Sequence, residues 1–226
     1  MYKFPKYSIE DVVNFQKQFL AEKFNLTHVL GIIGNSMGGF VALTSAILYP
    51  DFADFIMPGV SSYKVAGHDY ILSKFVDEII TSDENYEKGI ANASLERTLK
   101  LASLAEFNFG LSKEALRATP KEELSQSFEE FGEESLFLDI YDVKYCNEAC
   151  MNYDVEKDLG KITSKVFIIS CTQDPHFPPE LDGIPMSGMI NDSELIIMDS
   201  ELGHLCFNEL ENISDELSKF MKEFEV

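Results

Sequence analysis

The hexapeptide Gly34-Asn35-Ser36-Met37-Gly38-Gly39 constrains this chain more than any other stretch. It separates a short apolar run, His28 to Ile33, from a segment whose apolar residues Phe40, Val41, Leu43 and Ile47 recur at helical spacing up to about Tyr49. A G-x-S-x-G sequence between a strand and a helix is an elbow that lifts a serine hydroxyl clear of a sheet. Glycines two residues to either side of Ser36 are expected to remove side chains that would collide with the neighbouring strand and helix. The helix N-terminus puts the positive end of its dipole under the serine, and the Met37 N–H can point at a developing oxyanion. A phosphate loop would want Gly-Lys-Ser/Thr, and there is no lysine here; a dinucleotide turn would want G-x-G-x-x-G. A glycine-rich turn used only for packing is the plain alternative.

The flanking sequence predicts a parallel α/β sheet. Ser8-Ile9-Glu10-Asp11 fits a capping box, followed by apolar positions Val12, Val13, Phe19, Leu20 and Phe24 of a first helix. A second strand is expected over about Phe52 to Val60, so the first 60 or so residues read helix, strand, turn, helix, strand. Between about Ser61 and Lys161 the chain turns rich in Glu, Lys, Leu and Ala, with poor strand signals. We read residues 1–61 and 162–226 as the sheet-bearing core and 62–161 as a helical lid insertion. Within it, Thr119-Pro120-Lys121-Glu122-Glu123 reads as a cap, a first-turn proline and first-turn acids. Strands resume at Lys165–Ser170 and Glu194–Met198. A last helix is expected from about Asn208 to Phe224, with Leu210, Ile213, Leu217, Phe220, Met221 and Phe224 on one face.

A serine needs a base, and the base needs an orienting acid. In this architecture the order along the chain is serine, acid, histidine. The chain has four histidines. His28 begins the strand before Ser36 and reads as structural, and His68 opens the helical insertion. His176 reads as a loop or pocket-lining residue. His204 follows the last strand in Glu201-Leu202-Gly203-His204, on the sheet edge that carries Ser36. Asp174 follows the third strand on that same edge, where active sites of open α/β sheets collect. Asp192 and Asp199 compete with it but flank the last strand. The expected triad is therefore Ser36, Asp174 and His204.

Composition narrows the partners. With 18 Lys+Arg against 39 Asp+Glu the formal charge is −21, which argues against nucleic acid and against an anionic membrane. There is no apolar signal core at the N-terminus and no stretch near the roughly 18 apolar residues of a membrane helix. The four cysteines, Cys146, Cys150, Cys171 and Cys206, are few and scattered, so reduced thiols in the cytoplasm are expected. Cys146 and Cys150 can share a helix face, but no nearby His or Cys completes a metal site, and we expect neither metal nor cofactor.

Four stretches resemble the homoserine O-acetyltransferase family and its hydrolase relatives in the α/β-hydrolase superfamily. They are the elbow with Tyr49-Pro50-Asp51 downstream; Asp174-Pro175-His176-Phe177-Pro178-Pro179; Asp199-Ser200 ahead of Gly203-His204 and Phe207; and Phe4-Pro5 before the first helix. The resemblance implies an acyl-transfer enzyme, an ester hydrolase in our reading, acting on a small-molecule ester or thioester; an O-acetyltransferase is the alternative. In acetyltransferases of that family an aspartate follows the catalytic histidine and helps to bind the substrate amino group; here Leu205 stands there. Arg97 and Arg117 are the candidates in the insertion to hold a substrate carboxylate. The superfamily sheet has about eight strands, of which only the last four are expected here. The missing part normally supplies the second oxyanion donor, so a fragment with little activity alone is a further alternative. Strand 28–33 would lack a neighbour on one side, which predicts a homo-oligomer or a partner chain along that edge.

Overall fold

The structure, a computed structural model, describes residues 3–89 and 92–224. The first helix, α1 (Ile9–Phe24), opens on the expected box: Asp11 N–H donates to Ser8 Oγ, and the Asp11 carboxylate accepts from the Ser8 N–H. Then come β1 (Val29–Asn35), α2 (Met37–Leu48) and β2 (Ala53–Gly59). Among the described residues, six α-helices occupy the stretch before the next strand: α3 (Gly67–Thr81), α4 (Glu84–Lys88), α5 (Ala93–Leu104), α6 (Lys113–Ala118), α7 (Lys121–Glu134) and α8 (Ile140–Met151). The chain closes with β3 (Lys165–Cys171), α9 (Gly183–Met189), β4 (Ser193–Met198) and α10 (Ser214–Met221). No described helix is long and apolar enough to cross a membrane.

The described strands form one parallel sheet in the order β1-β2-β3-β4. Its inner strands are apolar on both faces because both faces are covered. Ile56, Val166 and Ile168 pack with Leu43 and Met186 on one side; Phe55, Met57, Phe167 and Ile169 pack with Ile213 and Phe220 on the other. At the outer edge β1 pairs, among the described residues, with β2 alone, and Leu30 and Ile33 are 49% and 60% exposed. The helix α2 is well covered there, but α1 leaves Phe15, Phe19 and Phe24 in the open, ring against ring.

Two expectations need correction. The stretch after β4 is not one helix: a 3-10 segment runs Gly203–Ile213, broken at Glu209 (φ −125°, ψ 30°), and only then does α10 begin. The chain first has to bury Cys206 and lay Phe207 over Gly59, where a Cβ would run into its ring. Glu209 is also pulled aside to accept from Ser200 Oγ at 2.6 Å. Helical periodicity in sequence cannot register either demand. Thr119 does not cap α7. It ends α6, its Oγ1 donating to the Ala115 carbonyl, and Pro120 takes the cap position of α7 with no side-chain bond.

Candidate active site

The turn from β1 into α2 holds Ser36 at φ 53°, ψ −123°, a conformation that side chains adopt only where surrounding bonds over-determine it. Three such bonds are present. Ser36 N–H donates to the Gly59 carbonyl at 2.9 Å, and the Ser36 carbonyl accepts from Gly39 N–H and from Ser61 Oγ, each at 2.9 Å. A Cβ on Gly34 would run into the Gly38 carbonyl, and one on Gly39 into Ser61 Oγ. A Cβ on Gly38 would meet nothing. The steric demand expected at both motif glycines therefore falls on Gly34 and Gly39. As first residue of α2, Met37 has an N–H without an intrahelical acceptor.

His204 arrives from the loop after β4. Gly203 precedes it at φ +58°, and a Cβ there would sit 2.7 Å from Ser112 N, so that loop passes too close to the helical segment for a side chain. His204 N–H donates to the Gly110 carbonyl at 3.0 Å. Asp174 is fixed in the turn after β3, where its Oδ1 accepts from His176 N–H at 2.9 Å. Together these bonds set a row. His204 Nε2 stands 2.9 Å from Ser36 Oγ, and its Nδ1 stands 3.1 Å from each oxygen of Asp174. The Asp174 side chain is wholly buried and that of His204 is 13% exposed; a carboxylate so placed is tolerable because it is hydrogen-bonded. The acid fixes an N–H at Nδ1, which leaves Nε2 as the acceptor for the serine proton.

The other candidates stand elsewhere. Asp192 is exposed at the opposite end of the sheet, ahead of β4. Asp199 accepts from Thr172 Oγ1 at 3.0 Å. His28 pairs with Asp54 at 3.3 Å on the surface, and His68 is exposed at the start of α3. Arg97 and Arg117 are exposed and do not line the site. Leu205 is 44% exposed and does not line it either. His176 does line it, its ring centre 4.6 Å from that of His204.

Above Ser36 and His204 the helical segment borders an open cavity of about 950 Å³. Its wall is mainly apolar, with Phe40, Leu72, Val76, Leu138 and Phe177 among its residues. The charged side chains in the wall are Asp69, Glu106, Asp139 and Asp142, with no lysine or arginine among the described residues. Burial raises the pKa of Glu106, an effect that His176 and His204 partly offset. Asp69 and Glu106 were missed in sequence because a first-turn acid and a helix-end glutamate look like ordinary surface residues. Cys146 and Cys150 also face the cavity from α8. The Cys146 thiol is lowered to about 7, chiefly by a hydrogen bond with Cys150, whose own thiol is pushed up by the same bond. Cys146 Sγ lies 3.2 Å from Met37 Sδ.

No protein-family model matches the chain. It is 41% identical over 218 residues to a protein of Methanothermobacter thermautotrophicus named probable acyltransferase, covering 96% of this chain and 67% of that one. Among solved structures it superposes on an acetylester hydrolase from Corynebacterium glutamicum with a TM-score of 0.85 at 25% identity, over 100% of this chain and 70% of that one. The homoserine O-acetyltransferase from Bacillus anthracis gives a TM-score of 0.84 at 18% identity, over 96% and 66%, a likeness of fold. The chain thus spans about two thirds of the length of these proteins, resembling their C-terminal portion.

Proposed function

The chain belongs to the α/β-hydrolase family of esterases and homoserine O-acetyltransferases, enzymes of acyl transfer or ester hydrolysis, and from that premise we propose that it hydrolyses uncharged carboxylic esters through an acyl-enzyme on Ser36. The observation that carries the reading is the hydrogen-bonded row from Asp174 through His204 to Ser36 Oγ. Ser36 Oγ attacks the ester carbonyl while its proton passes to His204 Nε2. Asp174 holds the imidazole in register and stabilises its charged form. The Met37 N–H faces the developing oxyanion as one donor of the hole. The protonated His204 then delivers its proton to the leaving alcohol, and water resolves the acyl-enzyme by the reverse route.

The acidic cavity wall disfavours an anionic substrate. Carboxylate and phosphate groups would meet Asp69 and Glu106 and find no lysine or arginine among the described residues of the wall, and a buried unpaired charge is costly. That weighs against coenzyme A esters and against the carboxylate of homoserine, and Leu205 lies outside the wall. The transferase reading keeps one specific support, the name of the 41% identical relative. We assign residues 62–161 the role of a lid, since their helices roof the cavity, and the four free thiols fit a cytoplasmic setting. The bare β1 edge and the open phenylalanines of α1 are the surface we propose for a second copy or for a polypeptide supplying further strands.

A fluorophosphonate probe tests the reading. It should label the folded protein at Ser36, lose the label in Ser36→Ala, and label His204→Ala far more slowly. Undiminished labelling of Ser36→Ala would place the nucleophile elsewhere.

A further inference from the structure

A second imidazole–carboxylate pair opens on the same cavity. Asp69, in the first turn of α3, places Oδ1 2.8 Å from Nδ1 of His176, which sits two residues beyond Asp174. Both side chains are 15% exposed. A carboxylate only accepts, so the neutral ring carries its proton on Nδ1 and a lone pair on Nε2. That Nε2 has no protein hydrogen-bond partner among the described residues. The ring is held between Phe109, at 4.9 Å between centres, and His204, at 4.6 Å, and lines the cavity with Ser36. The Asp174–His204 arrangement is thus repeated beside itself, without a serine.

Resting on the acyl-enzyme reading above, we propose that His176, oriented by Asp69, holds the water that resolves the acyl-enzyme and so favours hydrolysis over transfer to an alcohol. Once Ser36 Oγ is acylated it has no hydrogen to donate, and His204 Nε2 is free. Water has two hydrogens. One points to His204, which takes it as the water oxygen bonds to the acyl carbon; the other points to His176, which accepts the hydrogen bond and takes no proton. When the Oγ–acyl bond breaks, His204 returns its proton to Ser36 Oγ and the carboxylic acid leaves. Two hydrogen bonds from one water span on the order of 4.5 Å between acceptors, and the two ring centres stand 4.6 Å apart in the wall of one cavity. An alcohol has a single O–H hydrogen and leaves one of the two imidazoles unserved. The charged groups around the pair, Asp69, Asp174 and Glu106, are all acidic, so an acceptor role for Nε2 meets no competing protein donor among them.

The test is product partitioning. Wild type, His176→Phe and Asp69→Asn are given p-nitrophenyl acetate with added 1-propanol, and acetic acid is measured against propyl acetate. Phenylalanine keeps the ring packing and removes the acceptor. The ratio of propyl acetate to acid should rise roughly five- to tenfold in His176→Phe, the loss of about one hydrogen bond, and by less in Asp69→Asn. Fluorophosphonate labelling of Ser36, which draws on His204 and Asp174, should persist in both. If His176→Phe does not fold because Asp69 is left unpaired, the double variant with Asp69→Asn replaces it. A ratio within twofold of wild type in labelled, folded variants overturns this proposal and leaves the serine reading standing. A wild-type protein that does not label at Ser36 overturns both.

Discussion

Ser36→Gly should make the protein more stable than Ser36→Ala, although both lose the nucleophile. Ser36 sits at φ 53°, ψ −123°, and a residue with a Cβ held in so sparsely populated a region costs about 1–3 kcal/mol. Alanine keeps the Cβ and keeps that cost. Glycine escapes it but gives up about 0.5–1 kcal/mol to the greater freedom of the unfolded chain. Both variants lose the same bond from Oγ to His204 Nε2, so that term cancels in the comparison. The difference left is about 0–2.5 kcal/mol in favour of glycine, centred near 1 kcal/mol. For a chain of 226 residues that centre is about 2–4 °C in Tm. Thermal and urea unfolding of the two variants side by side measure it, with equal urea m-values required so that the unfolded states match. A glycine variant no more stable than the alanine variant would refute the claim that the elbow stores strain for exposing its serine.

Three more expectations follow from the same structure. Steady-state kinetics should show hydrolysis of small activated esters and negligible acetyl transfer from acetyl-CoA to homoserine; efficient homoserine turnover would sink the argument from the acidic cavity. The purified chain should self-associate or aggregate in light scattering with chromatography, and Ile33→Lys on the bare edge should reduce this; a sharply melting wild-type monomer at micromolar concentration would mean that the edge is covered from within. Burial raises Asp182 to about 6, with a hydrogen bond from Ser62 opposing. A carboxyl raised above its unfolded value stabilises most below that value, near 3.9, and loses the contribution as pH climbs through 6. Asp182→Asn should therefore flatten the stability curve between about pH 4 and 6 and stabilise the fold at pH 7, and urea midpoints across that range unchanged from wild type would contradict it.

Sequence alone determined what short-range physics writes into it. The box at Ser8 and Asp11, the apolar runs of the strands and the glycines around Ser36 depend on neighbours a few residues away, and each predicted a local shape that the fold contains. The candidate row of Ser36, Asp174 and His204, placed after β1, β3 and β4, could be proposed from sequence because parallel strands deliver their ends to one edge. Tertiary structure decided the rest. Whether Gly38 or Gly39 bears the steric demand depends on Ser61, a residue from beyond the next strand. The break at Glu209 depends on Ser200 and on the space above Gly59. The character of the cavity depends on Asp69 and Glu106 meeting His176 and His204 from helices far away in the chain. A periodicity records which face of a helix is apolar. It does not record what that face meets, because burial, charge and hydrogen bonding at a cavity are set by partners that only the folded chain brings together.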